Sequence, residues 1–318
     1  MRKYIISSKE AGQSLFNFTK KILKDAPKSV IYKLFRKKDV KVNGHWESEK
    51  YEINEGEEVS IYLPEEMFVK FEKNASSNHA SQVKDWVVYE DENILVINKP
   101  RGVLVQKAVA SDTALDDMVI SYLVDKGEYE PNSGYTPAPS HRLDRNTGGL
   151  VVFGKSLKVL QELADIMKDK NKVEKRYLAL VKGHTETKGK IDAPLFKNGS
   201  TVFVDKEKGK EAVTEYTLKE YVGDYSLVDI HLLTGRTHQI RVHFASISHP
   251  LVGDAKYGDY SLNKSIEDNY GFKNQFLVAY YLCFHHLDGT LSYLNNKPFQ
   301  VELTKECVEL STKINNNK

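Results

Sequence analysis

Residues 86–97 read WVVYEDENILVI, in which two short apolar runs flank four polar residues. This pattern is typical of two adjacent β-strands joined by a turn. Apolar runs of the same kind recur further along the chain, at 150–153, 176–181, 212–218 and 225–233. Only short helical segments separate them, and we expect Ser156 and Thr237 to cap two of these helices. Because parallel crossovers need longer helical connections, the sequence predicts an α+β fold with a mixed, largely antiparallel sheet flanked by helices.

The first 64 residues have a different pattern and predict a small α/β domain. Apolar residues recur at helical spacing over 15–24, and a second amphipathic helix is expected to begin near Lys28. The Asn43-Gly44 pair predicts a hairpin turn, and a last alternating strand is expected over 58–63. Two helices followed by a small antiparallel ribbon would account for this region.

Domain boundaries follow from the change in pattern after this region. The stretch 72–85 is polar and has no apolar periodicity, so we interpret it as part of an interdomain linker. The predicted division of the chain is an N-terminal domain over 1–64, a linker over 65–85, a main domain over 86–310 and a frayed tail over 311–318.

The composition excludes several classes of protein. The 318-residue chain is 40% hydrophobic and 28% charged, and it has two cysteines. These counts predict a globular protein without a disulfide framework or a multi-thiolate zinc site. No apolar run approaches a membrane span and the N-terminus lacks a signal-peptide core, so we expect a cytoplasmic protein. The glycine-rich motifs of nucleotide-binding sites are missing, so no cofactor and no metal are expected.

A basic block lies within this chain, whose formal net charge is only +2. Residues 20–41 contain nine lysines and arginines and two aspartates. Such a local excess of positive charge is typical of a surface that binds a polyanion. A solvated lysine-rich helix face would have the same composition, so charge alone leaves both interpretations open.

The densest group of reactive side chains is SHRLDRNTGGL at 140–150, directly before a predicted strand. Asp144 lies between Arg142 and Arg145, and neighbouring cations stabilise an ionised carboxylate. Such a carboxylate is suited to act as a nucleophile or to stabilise positive charge. The glycines after it would let the backbone approach a ligand closely. A structural Arg–Asp pair in a loop would explain the same residues.

A second group, LTGRTHQIRVH at 233–243, follows a strand and enters a predicted helix. Free N–H groups at a helix N-terminus bind anions, and Arg236 is placed to pair with a carboxylate or a phosphate. His238 and His243 are five residues apart, a spacing that does not put two ligands on one helix face. We therefore do not expect a metal site here.

Three further segments are less specific. Tyr177 opens the strand in KRYLALV at 175–181, where its ring would either stack on a base or fill the core. The segment GDAKYG at 253–258 predicts a tight, glycine-flanked loop. The pair His285-His286 carries no specific signal.

Taken in order, these segments resemble the motifs of the RluA-type RNA pseudouridine synthase family. HRLDRNTGGL resembles the family's aspartate loop, KRYLALV its tyrosine strand and GRTHQIRVH its arginine segment, and GDAKYG matches a further element. Residues 27–44, PKSVIYKLFRKKDVKVNG, resemble the alpha-L RNA-binding module that is often fused to these enzymes. AGQSLFNF and APLFKN are similar to the branch that modifies large-subunit ribosomal RNA. The resemblance covers residues 11–64 and 87–305.

The resemblance implies a role for each of these residues. Asp144 would be the catalytic aspartate, Tyr177 would stack on the target base and help to remove the C5 proton, and Arg236 would pair with Asp144. Arg142 would fill the helix where the uridine leaves, and Gln239 and Arg241 would complete the substrate-binding set. The implied RNA-binding residues of the N-terminal domain are Lys28, Lys33, Arg36, Lys37, Lys38 and Lys41.

The resemblance also implies the reaction and the partner. Uridine is converted to pseudouridine in ribosomal RNA, which needs no cofactor, no metal and no membrane, and family precedent favours a monomer. Three positions depart from the family pattern, namely Gln106, Gly148 and Val278. A non-catalytic RNA-binding or ribosome-assembly factor, or another RNA enzyme such as a methyltransferase, remain alternatives. The sequence does not name the target uridine.

Overall fold

The computed structural model describes residues 1–71, 80–109 and 112–316. Its strands are β1 Arg2–Ile5, β2 Gln13–Ser14, β3 Val40–Val42, β4 His45–Trp46, β5 Glu52–Ile53, β6 Glu58–Ile61, β7 Val87–Glu90, β8 Ile94–Lys99, β9 Ala138–Pro139, β10 Gly148–Gly154, β11 Val173–Lys182, β12 Lys188–Asp192, β13 Leu195–Asn198, β14 Thr201–Val204, β15 Val213–Val222, β16 Tyr225–Leu232, β17 Leu277–Phe284 and β18 Pro298–Gln300. Its α-helices are α1 Leu15–Ile22, α2 Lys28–Arg36, α3 Glu65–Phe71, α4 Ala80–Lys84, α5 Leu115–Asp125, α6 Leu157–Ile166, α7 Gln239–Ser246, α8 Tyr260–Tyr270 and α9 Lys305–Asn316. A 3-10 helix covers Gly289–Leu294.

The contacts group the chain into two compact units. The first consists of Met1–Val96, Gln106–Ser140 and Val152–Asp165. The second consists of Ile97–Val105, His141–Val151 and Ile166–Lys318. This grouping differs from the predicted division, because segments beyond residue 100 fold against the N-terminal residues. For example, the N–H of Leu157 donates to the carbonyl of Lys9 at 3.0 Å.

The N-terminal part of the first unit has the predicted helices and hairpin. Its sheet has the order β1-β6-β3-β4 with antiparallel neighbours. Asn43 and Gly44 both have positive φ, 49° and 82°, as a two-residue hairpin turn requires. Helix α2 buries Ile31, Leu34 and Phe35 and leaves its basic residues outside.

Two predictions about irregular segments were wrong. Within the predicted linker, α3 and α4 are helical, and Phe68 and Phe71 join the apolar cluster of the N-terminal sheet and helices. Residues 72–79 of that linker lie outside the described residues. The predicted frayed tail is helical as far as Asn316, because Cys307, Leu310 and Ile314 recur on one buried face of α9.

The second unit contains the predicted mixed, largely antiparallel sheet. Six strands have the order β12-β15-β16-β11-β17-β10, and β18 pairs with β17. All of these neighbours are antiparallel except β10 and β17, which are parallel. The α+β fold is therefore confirmed. Strands β8 and β10 each have residues in both units.

The predicted cap at Thr237 was wrong by one residue. Helix α7 begins at Gln239, and its N-cap is His238, in the left-handed region with φ 54°. Ser156 caps α6 as predicted, since the N–H of Val159 donates to its Oγ at 3.3 Å.

Candidate active site

Asp144 lies in the loop directly before β10, with its side chain 26% exposed. The N–H of Thr147 donates to the carbonyl of Asp144 at 3.1 Å, which closes the loop into a turn. Thr147 is buried, and its Oγ1 accepts a hydrogen bond from Gln275 Nε2 at 2.7 Å. The hydrogen bond to Gln275 therefore holds the turn on its buried side, while the Asp144 carboxylate lines an open cleft.

Of the two glycines after Thr147, only Gly149 lies where a larger side chain would clash. Gly149 has φ +115°, and a Cβ there would lie 2.2 Å from the carbonyl oxygen of Ala279. This close approach lets β10 pair with β17, where Gly149 is opposite Ala279. A Cβ at Gly148 would meet only Arg101 Cγ and the Lys99 carbonyl, each at 3.5 Å. The predicted close approach thus serves a neighbouring strand rather than a ligand, and position 148 has room for the side chain that the family usually has.

Asp144 is paired with Arg241, and the predicted pairing with Arg236 was wrong. Arg241 Nη1 donates to Asp144 Oδ2 at 2.8 Å. The other side of the same guanidinium is held by Asp254, with Nε to Oδ2 at 2.7 Å and Nη2 to Oδ1 at 2.9 Å. Arg236 is exposed, and its Nε donates to the backbone carbonyl of Glu211 at 2.9 Å. It lines the same cleft without forming the ion pair.

The Arg241–Asp254 pair is buried, since Asp254 is 1% exposed. Hydrogen bonds from Arg241 and from the N–H groups of Lys256 and Tyr257 hold the pKa of the Asp254 carboxyl below its usual range, although burial opposes this. The ring of Tyr257 lies 5.0 Å from the Arg241 guanidinium. The GDAKYG loop is thus the support of Arg241. A bidentate, buried partner fixes the direction in which the third guanidinium nitrogen points.

Tyr177 lies on β11 at a β-bulge. Arg176 is opposite Tyr281, whereas Tyr177 is opposite Ala279, so the register shifts between them. Such a bulge changes the direction of a side chain. Tyr177 is 8% exposed and lines the same cleft as Asp144. Burial, and then the nearby negative charge of Asp144, raise the pKa of its phenol, which stays protonated at neutral pH.

His238 is held beside Asp144 by a short chain of hydrogen bonds. Its Nδ1 lies 2.8 Å from Tyr257 Oη, and that oxygen accepts from the N–H of Val202 at 3.1 Å. Nε2 is 3.9 Å from Asp144 Oδ2. Burial lowers the pKa of His238, against the opposing effect of Asp144, so a neutral ring faces the carboxylate.

Lys99 connects the loop after β8 to the loop that carries Asp144. Its side chain is 1% exposed, and Nζ donates to the carbonyls of Pro100 and Val103, each at 2.9 Å, and of Arg145 at 3.1 Å. Burial lowers the pKa of Lys99 to about 7, while the negative charge of Asp144 opposes the shift. The amine therefore fixes the backbone next to the catalytic loop.

The remaining residues of the predicted substrate set have distinct positions. Arg142 is exposed and lines the cleft. Gln239 is 2% exposed and uses its whole amide within the protein, with Oε1 bound by Thr234 and the Arg236 N–H, and Nε2 bound to Val213 and Thr214. Its contacts hold the loop before α7 instead of presenting the amide to a substrate. Arg241 is likewise engaged by the two aspartates.

The predicted RNA-binding cations lie on helix α2 and in the residues that follow it. Five are exposed, namely Lys28, Lys33, Arg36, Lys37 and Lys38, and Lys41 is half-buried. Lys38 lies 5.3 Å from the ring of Trp46, and Lys41 lies 5.2 Å from the ring of Tyr62. Both rings are themselves exposed. Of the departures from the family pattern, Gln106 is exposed and Val278 belongs to an apolar cluster.

Sequence reasoning missed four residues that shape this site: Lys99, His238, Asp254 and Tyr257. A signal existed for two of them, because GDAKYG stood out as a tight loop. Gly253 and Gly258 close that loop, since Cβ atoms there would lie 2.0 Å and 2.2 Å from backbone oxygens. His238 was considered only as a metal ligand, and nothing in the sequence marked Lys99 as buried.

Comparison with known proteins identifies the fold and the family. A family model described as RNA pseudouridylate synthase matches residues 93–246. The Ribosomal large subunit pseudouridine synthase C of Salmonella typhi is 35% identical over 314 residues, covering 96% of this chain and 95% of the relative. The protein of that name from Escherichia coli (strain K12) is 34% identical over 313 residues, covering 96% and 94%. The chain belongs to the RNA pseudouridylate synthase family.

Solved structures agree with this assignment. Human RNA Pseudouridylate Synthase Domain Containing 4 has the same fold, with a TM-score of 0.59 at 20% identity, covering 74% of this chain and 95% of that one. Human RNA Pseudouridylate Synthase Domain Containing 1 aligns with a TM-score of 0.50 at 26% identity, covering 72% and 93%. The resemblance seen in the sequence motifs is confirmed, and the protein is an enzyme that isomerises uridine to pseudouridine.

Proposed function

We propose that the protein converts specific uridines of large-subunit ribosomal RNA to pseudouridine, with Asp144 as the catalytic residue. The observation that supports this proposal most strongly is the position of the Asp144 carboxylate. Arg241 fixes it in a cleft that Tyr177 also lines. The choice of RNA is supported by relatives named Ribosomal large subunit pseudouridine synthase C, which align over nearly the whole chain.

The reaction needs only groups that this cleft can supply. The N1–C1′ bond breaks, a C5–C1′ bond forms, and a proton passes from C5 to N1, so atoms and electrons balance without an oxidant or a group donor. A carboxylate next to C1′ would attack that carbon or stabilise positive charge there. The charge-assisted bond from Arg241 keeps one oxygen of Asp144 oriented while the other stays available.

Tyr177 and the exposed arginines of the cleft would hold the flipped nucleotide. The target base must leave its stack to reach Asp144. The phenol of Tyr177 is buried and protonated, which supports stacking on the uracil ring. Removing the C5 proton would require the deprotonated phenolate instead. Arg142 and Arg236 are exposed at the cleft and would contact the RNA backbone or fill the space that the uridine leaves.

The N-terminal residues 1–64 would act as an RNA-binding domain. Lys38 and Lys41 lie beside the exposed rings of Trp46 and Tyr62, and rings beside cations favour contact with RNA. The predicted cations would add phosphate contacts without reading sequence.

We further propose that the enzyme acts in the cytoplasm as a monomer. In the described part of the chain, no helix is long and apolar enough to cross a membrane. The monomeric state is what the resemblance to the family implies.

The direct test replaces Asp144 with asparagine, which keeps the shape of the side chain. Purified wild type and D144N are incubated with transcribed large-subunit rRNA, and pseudouridine is mapped by carbodiimide labelling and primer extension. We expect the rate to fall by roughly 10⁴-fold. The matched control is Asp288→Asn, at an exposed aspartate that does not line the cleft, and it should keep full activity. Equal activity of D144N and wild type would refute the assignment, and RNA binding without any product from wild type would favour a non-catalytic RNA-binding protein.

A further inference from the structure

A second concave surface lies beside the cleft, within the same compact unit. The hairpin of β13 and β14 forms its floor with Leu195 and Val202, the following loop adds Lys208 and Lys210, and Arg236 closes the opposite side. The cavity has a volume of about 360 Å³. This volume is in the range of sites that hold a small ligand or one nucleotide. We call it the hairpin pocket.

The hairpin pocket has a positively charged rim, with Asp205 near Lys208. Lys197, Lys208, Lys210 and Arg236 are all exposed, and none of the lining residues is acidic. Among residues 1–71, 80–109 and 112–316, no carboxylate forms a salt bridge with these four, and Arg236 instead donates to a backbone carbonyl. Four cations around one concavity repel one another, and a bound anion removes that repulsion. The rim therefore favours a phosphate.

The floor of the hairpin pocket is apolar and carries an aromatic ring. Leu195 and Val202 are 4% and 3% exposed. Phe196 also lines the pocket, and it packs edge-on against Phe203 across the hairpin at 5.7 Å between ring centres. A cationic rim over an apolar, aromatic floor is the combination that single-stranded nucleic acids bind.

The hairpin pocket shares one lining residue with the Asp144 cleft. Arg236 lines both the pocket and the Asp144 cleft. The N–H of Val202, on the pocket floor, bonds to Tyr257 Oη, and Tyr257 bonds to His238 beside Asp144. An occupant of the pocket would thus be next to the residue held in the cleft.

We propose that the hairpin pocket binds the nucleotide adjacent to the target uridine in single-stranded RNA, with its base on the Leu195–Val202 floor and its phosphate on Lys208, Lys210 and Arg236. This inference rests on the proposed function, because the target uridine is the one that the enzyme isomerises. The pocket would hold the strand on one side of the flipped base and so select unpaired over paired neighbours.

The first test removes charge from the rim without touching the cleft. The double variant Lys208→Ala/Lys210→Ala is compared with Lys188→Ala/Lys219→Ala, which removes two exposed lysines of β12 and β15. The probe is an RNA hairpin with a single uridine in its loop, and the readout is the Kd by fluorescence anisotropy over a range of salt. We expect roughly tenfold weaker binding for the rim variant, with a log Kd–log salt slope reduced by about 1.4. The control variant should match wild type.

The second test locates the contact along the strand. A neutral methylphosphonate replaces each of the two phosphates that flank the loop uridine, one at a time. At one of the two linkages, the methylphosphonate should weaken RNA binding by wild type. The same replacement should not weaken binding by the rim variant any further. Additive losses at both linkages, or a rim variant with the wild-type Kd and slope, would overturn the inference. Both tests measure affinity, so they are separate from the proposed function, which fails if wild type forms no pseudouridine in rRNA.

Discussion

Arg236 and Arg241 are five positions apart, yet only Arg241 bonds to Asp144. Arg241 lies in the first turn of α7, where the buried carboxylate of Asp254 grips two of its nitrogens and directs the third to Asp144. Arg236 precedes the helix and is exposed. The resemblance to the family predicted an arginine partner for Asp144, but the choice between two arginines depends on Asp254, which is distant in sequence.

Arg241 bonds to Asp144 and Arg236 does not, so substitutions of the two arginines should change different kinetic constants. Arg241→Lys removes the planar fork that bridges Asp144 and Asp254, so kcat should fall by about 100-fold with little change in KM. Arg236→Lys keeps a cation at the cleft and should mainly change KM. Steady-state kinetics on an rRNA fragment would separate them. A larger loss of kcat for R236K than for R241K would contradict the observed pairing.

Lys99 predicts a pH dependence of stability. Burial lowers the pKa of this amine to about 7 in the folded protein, whereas in the unfolded chain the pKa has its ordinary value of 10.5. Between these values the unfolded state binds more protons, so this group makes the free energy of unfolding rise with pH, by a slope approaching about 1.4 kcal/mol per pH unit. Lys99→Met should lack that contribution. Urea unfolding of both proteins at pH 7, 8 and 9 measures it, and parallel pH profiles would refute it.

At the scale of elements, the turn into β10 depends on one glycine and not on its neighbour. Gly149→Ala would place a Cβ 2.2 Å from the Ala279 carbonyl at φ +115°. We expect it to lower the free energy of unfolding by about 3 kcal/mol and to reduce activity, since Asp144 is on the same turn. Gly148→Ala is the matched control and should change stability by less than about 1 kcal/mol. Chemical denaturation measures both, and equal losses would contradict the pairing of β10 with β17.

Periodicity predicted the elements that have a strong pattern and missed those that do not. Apolar runs located β15 and β16, and β16 is buried over most of its length. Helix α9 was missed, since three apolar positions among polar residues gave a weak pattern that burial against the second unit's own core completes. The cap of α7 was misplaced because His238 adopts a left-handed conformation that its bonds to Tyr257 stabilise, and no local rule predicts such a contact.

At the scale of the whole molecule, the basic block of residues 20–41 predicts a separable contribution to RNA binding. Charge reversal at Arg36, Lys37 and Lys38 should weaken binding to rRNA and reduce the log Kd–log salt slope by about 2, because about three phosphate contacts are lost. Charge reversal at three other exposed lysines, Lys158, Lys170 and Lys305, is the control. Filter binding over a range of salt measures both. An unchanged slope for the first variant would move the RNA contact elsewhere on the protein.

The sequence located the reacting residues better than the residues that support them. Asp144 and Tyr177 were predicted from the order of several motifs and their resemblance to the family, and the structure brings both into one cleft. Asp254 and Tyr257 lie in the GDAKYG loop, which the sequence marked as tight without revealing its contact with Arg241, and no local pattern marked Lys99 as buried. The same holds for the hairpin pocket, whose lysines are unremarkable in sequence.

The central claim is that Asp144 isomerises uridine in large-subunit ribosomal RNA. The most direct measurement is a pseudouridine map of that RNA from cells that lack the gene, complemented with wild type or with Asp144→Asn. The account predicts that one or more sites disappear on deletion, return with wild type and stay absent with D144N expressed at the same level. Identical maps from all strains, or full restoration by D144N, would contradict it.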